Sequence, residues 1–307
     1  MLIKSLSKLT KVTLKTALAA TVAFGGAGIA AAQDCDDPEA LRFSMIPTEE
    51  TTQELTLYEP MVERLSEMTG KKIEFYLPTS YASVIEAMLS GWVDIGMHGP
   101  YSYVIAKEKD PTLEVFATYA KHEGHFQKEG AGYQGILVTR SDSGLDSIEK
   151  LEGTVLGLTD PASTSGNLLP RVGFTEVIGK DLEAYFSKVV YTGGHDLSAI
   201  AVKEGKVDAA FVATHRIDNV IDRDLATMEE YQVLWESPVI PQDPFVYRSS
   251  LCPDLKESIE QAFLGLHETE RGRTYLENVN ASRFVKMTDA DYDIIRALKK
   301  AKESASN

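Results

Sequence analysis

The sequence contains little cysteine, and acidic side chains dominate its charge. Cys35 and Cys252 are the two cysteines among 307 residues, and 46 acidic residues outnumber 31 lysines and arginines. The formal net charge is therefore −15 at pH 7. A chain this acidic repels polyanions at long range, which excludes nucleic acid and anionic membrane surfaces as partners. A small anion is not excluded, because a few oriented amide groups can dominate the local potential.

Long apolar runs are missing beyond residue 32. Within residues 1–32, four lysines and no acid precede the apolar run Thr16–Ile29, and three alanines follow before Gln33. This order is typical of a cleaved signal peptide, and the run is too short and too rich in glycine and alanine for a membrane span. We predict a signal peptide over residues 1–32, cleavage near Ala32/Gln33, a periplasmic location and a mature chain that does not insert into the membrane.

The two cysteines fit an exported protein. In an oxidising compartment an even pair predicts a disulfide, here between Cys35 and Cys252, with two unpaired thiols as the alternative. The residues Gln33-Asp34 lack the small apolar character that precedes a lipid-attachment cysteine. We therefore predict a free periplasmic protein rather than a lipid-anchored one. Because four lysines leave with the signal peptide and no acid does, the mature chain has a net charge of −19.

Short apolar runs alternate with segments of helical periodicity along the mature chain. Leu41–Ile46 and Ile73–Leu77 are typical of strands, whereas residues 55–68 repeat apolar side chains at helical spacing. The alternation continues between Gly135 and Tyr247. It predicts an α/β fold with largely parallel sheets, and the length suffices for two domains. No proline- or serine-rich linker separates the halves, so ordered strands must join them.

The candidate binding site lies where strands end, because ligands of open α/β sheets bind beyond the carboxyl ends of strands. The richest segment is Asp160-Pro161-Ala162-Ser163-Thr164-Ser165-Gly166, between a predicted strand and a predicted helix. Ser163 or Thr164 would be the N-cap, and hydroxyls with free amides at a positive helix end suit a small oxyanion. An ordinary helix cap without a ligand is the alternative. The other segments are Pro47–Thr52, Pro78–Ser83, His98–Tyr103, Gly193–His195 and Thr214–His215.

No catalytic motif accompanies these segments. The serine-rich segment is neither a Walker loop nor a Gly-x-Ser-x-Gly nucleophile elbow. His195 could donate an imidazole N–H to an anion, and the phenols of Tyr81 and Tyr133 could donate as well, with simple packing as the alternative for each. His122-Glu123-Gly124-His125 lacks the His-Glu-x-x-His spacing and a third ligand. We therefore predict a loop there, no metal, no cofactor and no catalytic residue.

Several segments, in order and with consistent spacing, resemble one family. From Leu41 to Tyr247 the chain resembles the PhnD-type phosphonate- and phosphite-binding proteins of ABC importers. The segments that carry the resemblance are Pro47-Thr48-Glu49, Tyr81-Ala82-x-Val84-Ile85-Glu86-Ala87, Gly91-x-Val93-Asp94, Gly99-Pro100-x-Ser102-Tyr103, Asp160-Pro161-x-Ser163-Thr164-Ser165-Gly166, Gly194-His195, Gly205-x-Val207-Asp208-Ala209-Ala210 and Ser237-Pro238-x-Ile240-Pro241-x-Asp243-Pro244.

The resemblance implies a type II periplasmic binding protein, with two α/β lobes joined by two crossover strands around a ligand cleft. Residues 33–133 and 239–307 would form lobe 1, and residues 134–238 would form lobe 2. His215 stands where relatives that bind 2-aminoethylphosphonate are expected to carry a carboxylate, which argues against an aminoalkyl ligand. The residues that the resemblance assigns to ligand binding are Tyr81, Tyr133, Ser163, Thr164, Ser165, His195, His215 and Asp243, with Thr48 and His98 as further polar wall.

The implied function is non-catalytic capture of a small phosphorus oxyanion by hinge closure. The ligand would be phosphite, methylphosphonate, another phosphonate or phosphate, delivered by a monomeric receptor to an ABC permease of the inner membrane. A ligand O–H could donate to Asp243, so the affinity should depend on pH. We expect phosphite or methylphosphonate to bind more tightly than 2-aminoethylphosphonate. The alternatives are a sensor that feeds a two-component kinase and a periplasmic phosphoryl hydrolase, in which His195 near Ser163 would imitate a base–nucleophile pair.

Overall fold

A computed structural model describes residues 35–47 and 51–305 of the protein. The predicted signal peptide, its cleavage site and Thr48 lie outside the described residues. Within those two ranges, no helix combines the length and the hydropathy of a membrane span.

Strands and helices alternate along the described chain, as the sequence predicts. The strands are β1 (Ala40–Met45), β2 (Lys72–Tyr76), β3 (Ile95–Met97), β4 (Glu114–Lys121), β5 (Gly132–Tyr133), β6 (Gly135–Arg140), β7 (Val155–Leu158), β8 (Lys188–Tyr191), β9 (Ala209–Ala213), β10 (Tyr231–Glu236), β11 (Ile240–Pro241), β12 (Phe245–Tyr247) and β13 (Ala281–Lys286). The α-helices are α1 (Thr51–Thr69), α2 (Tyr81–Leu89), α3 (Pro100–Lys109), α4 (Thr175–Ile178), α5 (Leu182–Tyr185), α6 (His195–Lys203), α7 (Thr214–Asp222), α8 (Pro253–Leu264), α9 (Glu270–Asn278) and α10 (Asp293–Ala305).

Two sheets form the centres of two α/β lobes. The first is six-stranded, in the order β13-β4-β12-β3-β1-β2, and the second is five-stranded, in the order β10-β6-β9-β7-β8. The prediction of largely parallel sheets is wrong, because β4, β12 and β13 pair antiparallel in the first sheet and β6 and β10 do so in the second. The reason is the chain path: β12 re-enters the first sheet from the second and runs opposite to β3.

Two short strands connect the sheets. The chain leaves the first sheet after β4 and reaches the second through β5, and it returns from β10 through β11. These connecting strands pair antiparallel, with Tyr133 opposite Ile240 and Gly132 opposite Pro241. A Cβ at position 132 would lie 2.6 Å from Cγ1 of Val239, so glycine lets the two strands approach here. The crossover strands implied by the family resemblance are thus present.

Each lobe has its own apolar core. In the first lobe, Phe263 packs with its ring centroid 5.1 Å from that of Phe245 and 5.2 Å from that of Phe116. In the second lobe, Ile136 and Leu137 of β6 lie on opposite faces of the sheet, and each packs in a separate apolar cluster. This alternation is the period of two that buried strands require. The cores hold the strand ends, and therefore the site, in place.

A disulfide fixes the beginning of the described chain. Cys35 and Cys252 are joined with an S–S distance of 2.03 Å, and Cys252 directly precedes α8. Backbone hydrogen bonds support the junction, since the Asp36 amide donates to the Ser250 carbonyl and the Cys252 amide donates to the Asp36 carbonyl. The bond closes a loop of sequence separation 217.

Some segments predicted as loops are helical. His98–Tyr103 runs into α3, which starts at Pro100, and Thr214–His215 is the first turn of α7. The helix predicted after the serine-rich segment starts within that segment, with π-helical turns at Thr164–Leu168 and Pro170–Phe174 before α4. Ser163, one of the two candidates from the sequence, is its N-cap.

Candidate functional site

The serine-rich segment after β7 forms a tight buried turn. The Ser163 hydroxyl accepts a hydrogen bond from the Gly166 amide at 3.1 Å, and the Asp160 carboxylate accepts one from the Ala162 amide at 2.8 Å. A Cβ at position 166 would lie 2.1 Å from the Thr159 hydroxyl oxygen, so no side chain fits there. Glycine at this position is therefore required for the turn that presents the hydroxyls.

His195 faces this turn from the first residue of α6. Its Nε2 lies 3.3 Å from the Ser163 hydroxyl and 3.5 Å from the Ser165 hydroxyl. Its Nδ1 accepts the backbone N–H of Ala213 at 3.1 Å and lies 3.0 Å from the Thr159 hydroxyl. Because Nδ1 must carry a lone pair to accept the Ala213 amide, the proton of the neutral ring is on Nε2. The imidazole therefore presents an N–H donor to the turn.

The surroundings keep His195 neutral. Burial and the nearby Arg216 charge lower the pKa of His195 to about 3. A neutral ring with its proton on Nε2 cannot accept a proton from Ser163 at that atom. Ser163 and His195 therefore lack the base that a serine nucleophile requires.

Two tyrosines approach the turn from the first lobe and the connecting strand. Tyr81 is the first residue of α2, where Ser80 and Ser83 form a capping box, and its phenol interacts with the Ser163 hydroxyl. Tyr133 ends β5, and its phenol interacts with Ser165 and Thr164. Burial raises the pKa of both phenols, so both remain protonated. Protonated phenols can donate hydrogen bonds to an anion.

Direct hydrogen bonds join the two lobes at the site. The backbone N–H of Tyr101, in the first turn of α3, donates to the Thr164 hydroxyl at 2.8 Å. The backbone amide of Tyr81 interacts with the Asp160 carboxylate. The first turns of α2 and α3 thus meet the serine-rich segment of the second lobe.

A buried ion pair closes the opposite wall. Nη2 of Arg216 donates to Oδ2 of Asp243 at 3.0 Å, and Nε2 of His215 lies 3.5 Å from the same oxygen. Burial alone would raise the pKa of Asp243, but its interactions with His215 and Arg216 lower it to about 2. Burial lowers the pKa of His215 to about 4, and this ring meets the Tyr133 ring edge-on at 4.8 Å. Asp243 is therefore ionised and His215 neutral.

The lobes enclose a tight cavity between these walls, with about 190 Å³ of space among its lining atoms and no room for the centre of a water-sized sphere. Seven of the residues expected to bind the ligand line it: Tyr81, Tyr133, Ser163, Thr164, His195, His215 and Asp243. Ser165 lies beside it through its contact with His195. The structure therefore brings together most of the residues assigned by the resemblance.

Besides Ser165, two of the ten expected residues are not placed in the cavity wall, and one charged wall residue was missed. His98 is buried near Asp243, has no side-chain hydrogen bond to any described residue, and does not line the cavity. Thr48 is outside the described residues. Arg216 lines the cavity without having been predicted, since the segment inspected after β9 stopped at His215. No local signal in the sequence marked Arg216, because its partner Asp243 is 27 positions away.

Among the described residues, no cluster of three or more histidine, cysteine, aspartate or glutamate side chains could hold a metal ion. The segment His122–His125 is a loop, as predicted, and Nε2 of His125 lies 3.2 Å from a carboxylate oxygen of Asp222.

Comparison with known proteins gives a consistent result. The family model described as "ABC transporter, phosphonate, periplasmic substrate-binding protein" matches residues 43–292. A phosphate-import protein PhnD of Mycolicibacterium smegmatis is 30% identical over 278 residues, with 84% of each chain covered. A phosphonates-binding periplasmic protein of Escherichia coli is 28% identical over 272 residues, covering 87% of this chain and 78% of the relative. A crystal structure of a binding protein component of an ABC phosphonate transporter from Pseudomonas aeruginosa superposes with a TM-score of 0.79 at 26% identity, covering 87% of each chain.

Proposed function

Because this chain belongs to the family of periplasmic substrate-binding proteins of phosphonate ABC transporters, we propose that its cavity captures a small phosphorus oxyanion for an inner-membrane permease. Members of this family are binding components of a transporter, so the hydrolase hypothesis is wrong and the sensor hypothesis is set aside. The family also makes this a periplasmic protein. The identity of the ligand and the residues that bind it are the proposal.

The observation that carries the proposal is the convergence of hydrogen-bond donors on one small cavity. Hydroxyls of Ser163, Thr164 and Ser165 approach it from one side together with Nε2–H of His195. The phenols of Tyr81 and Tyr133 approach from the other side. A tetrahedral oxyanion accepts several hydrogen bonds at once, and hydrogen bonds to a charged group strengthen where water is excluded.

The size of the cavity restricts the ligand. The cavity between the two lobes has no room for the centre of a water-sized sphere, so an entering ligand must move its walls apart, and a compact anion requires a smaller movement than one with a long substituent. The named relatives are a phosphate-import protein and a phosphonates-binding protein. We therefore propose phosphite, methylphosphonate, another small phosphonate or phosphate as the ligand.

Capture would use the connecting strands β5 and β11 as the hinge. We place the lobe boundaries at 133/134 and 238/239, next to these strands. Separately, we place the cleavage of the signal peptide near Ala32/Gln33. The hydrogen bond from Tyr101 to Thr164 would form as the lobes close. A ligand that binds only the closed arrangement shifts the population toward it. We further propose that the receptor works as a monomer.

Isothermal titration calorimetry on the purified mature protein tests the proposal. Phosphite, methylphosphonate and phosphate are titrated in turn, with sulfate as the comparison anion, and at least one phosphorus oxyanion should bind with one-to-one stoichiometry. Ser163→Ala should weaken that binding by about tenfold or more, since a hydrogen bond to a charged group contributes about 1.5–3 kcal/mol. Ser187→Ala, which removes a hydroxyl bonded to the Thr154 carbonyl at the surface of the same lobe, is the control. Absence of binding to every phosphorus oxyanion would overturn the proposal.

A further inference from the structure

We propose that Arg216 sets the charge selectivity of this site: by pairing with Asp243, it restricts the ligand to phosphorus oxyanions that carry no cationic substituent. This inference rests on the proposed function and adds a specificity-determining residue to it. The family resemblance placed Asp243 and His215 in the site, whereas Arg216 enters from the structure alone.

The pair is built into the cavity wall. Arg216 lies in the first turn of α7, directly after β9, and its guanidinium donates to the Asp243 carboxylate at 3.0 Å. Arg216 is 8% exposed and Asp243 is 4% exposed, and both line the cavity. A buried carboxylate paired with a guanidinium has most of its charge compensated. Asp243 is therefore not available as the counter-ion of a ligand ammonium group.

The neighbouring side chains do not replace that counter-ion. His215, 4% exposed and 3.5 Å from Asp243, has no hydrogen bond from either ring nitrogen to a described residue, so it offers a polar but neutral surface. His195 on the facing wall is neutral as well. Asp160 accepts the Ala162 amide and interacts with the Tyr81 amide, and its carboxylate does not line the cavity.

The electrostatic consequence depends on the substituent on phosphorus. An ammonium group near Asp243 would lie close to the Arg216 guanidinium, and like charges repel strongly where water is excluded. A hydrogen, a hydroxyl or a methyl group on phosphorus carries no positive charge and meets no such repulsion. The same phosphonate head group should thus bind better with a methyl substituent than with an aminoethyl one.

The test compares two ligands that share the phosphonate group. Calorimetry on the mature protein gives the dissociation constants of methylphosphonate and 2-aminoethylphosphonate. A substitution that weakens binding of the shared phosphonate group changes both constants by the same factor and leaves their ratio unchanged. The unsubstituted chain should prefer methylphosphonate by at least about tenfold. Arg216→Gln leaves the Asp243 charge uncompensated and should reduce that preference by at least about tenfold. Arg140→Gln removes the same charge from an exposed arginine of the same lobe, which pairs with Asp142, and should leave the ratio unchanged.

A second variant keeps the test decisive if Arg216→Gln does not fold, as judged by thermal denaturation. Asp243→Asn retains an acceptor for the guanidinium and leaves a net positive charge, so the preference for methylphosphonate should increase. An unchanged ratio in whichever variant folds overturns the inference, as does tighter binding of 2-aminoethylphosphonate by the unsubstituted chain. Failure of the proposed function is a different result, because the unsubstituted chain would then bind no phosphorus oxyanion.

Discussion

The backbone amide of Tyr101 donates a 2.8 Å hydrogen bond to the hydroxyl of Thr164, and this bond crosses from the first lobe to the second. The donor lies in the first turn of α3, where Gly99 is the N-cap and provides no side-chain cap. An amide in the first turn has no partner within its helix, so Thr164 supplies one. Thr164 also lines the cavity. One side chain, Thr164, therefore takes part both in the contact between the lobes and in the proposed binding site.

Removing that hydroxyl should weaken ligand binding. Thr164→Val keeps the shape but leaves the buried amide of Tyr101 unpaired, at a cost of about 1–3 kcal/mol to the closed arrangement. Thr164→Ser retains the hydroxyl and should bind the ligand within a few-fold of the unsubstituted chain, whereas Thr164→Val should bind about tenfold less tightly. Calorimetry measures both. Equal affinities for the valine and serine variants would contradict this role.

The tautomer of His195 gives a second prediction. The Ala213 amide donates to Nδ1, so the useful donor is Nε2–H. Glutamine can place an amide N–H near the position of Nε2, whereas asparagine is shorter and reaches only the position of Nδ1. His195→Gln should therefore retain more affinity for the phosphorus oxyanion than His195→Asn, with a difference of about tenfold. The reverse order, measured by calorimetry, would show that the imidazole does not donate through Nε2.

Gly166 should tolerate no side chain. An added Cβ would lie 2.1 Å from the Thr159 hydroxyl oxygen and 2.4 Å from the Thr159 Cβ. Overpacking of this kind typically costs 1–3 kcal/mol, so Gly166→Ala should lower the free energy of unfolding by about that amount or more and weaken binding. Gly173→Ala is the control, because its Cβ would lie 3.4 Å from the Trp235 ring. Denaturant unfolding compares the two, and similar losses would argue against a constrained turn.

Three buried histidines should make the ligand-free protein less stable in mild acid. Burial lowers the pKa of His98 and His215 to about 4 and that of His195 to about 3, from the ordinary histidine value of 6.5. At pH values between these lowered pKa values and the ordinary one, the unfolded chain binds more protons than the folded chain. The free energy of unfolding therefore rises with pH in this range. We expect a loss on the order of 1–2 kcal/mol per histidine between pH 7 and pH 5.

Denaturant unfolding at several pH values checks that expectation. Burial raises the pKa of Asp160 and Asp218, which acts in the opposite direction and reduces the net slope. The variant His195→Gln should lose part of the slope, because one of the three titrating groups is removed. A free energy of unfolding that is constant from pH 7 to pH 5 in the unsubstituted chain would contradict the prediction.

Features with a strong local signal were predictable from the sequence. The hydroxyl of Ser163 caps the helix that follows. Serine and threonine favour the N-cap because their hydroxyl accepts a hydrogen bond from a backbone amide that has no partner within the helix. Gly70 and Gly91 follow α1 and α2 with positive φ values of 67° and 69°, a conformation that favours glycine just beyond the end of a helix. The candidate site residues came from the family resemblance that ordered motifs carry, and seven of them meet in one cavity.

Features without a local signal were not predictable. α7 begins after Ala213 with no side-chain cap, so nothing marked its start or placed Arg216 on its first turn. By contrast, Pro100 at the first position of α3 is a local signal for the start of a helix, although a loop was predicted over His98–Tyr103. Strand direction in the sheets depends on where the chain crosses between lobes, which periodicity does not encode. The pairing of Arg216 with Asp243 joins residues 27 positions apart and required the folded structure.

The polar side chains proposed to hold the ligand are nearly inaccessible to solvent, with Ser163, Thr164, Tyr81 and Tyr133 each at most 4% exposed. A membrane protein that docks on the outside of this receptor would therefore touch none of the atoms proposed to recognise the ligand. It can distinguish a filled receptor from an empty one only by the arrangement of the outer surfaces of the lobes. Substitutions inside the cavity can then change which anion is carried while leaving the docking contacts as they are.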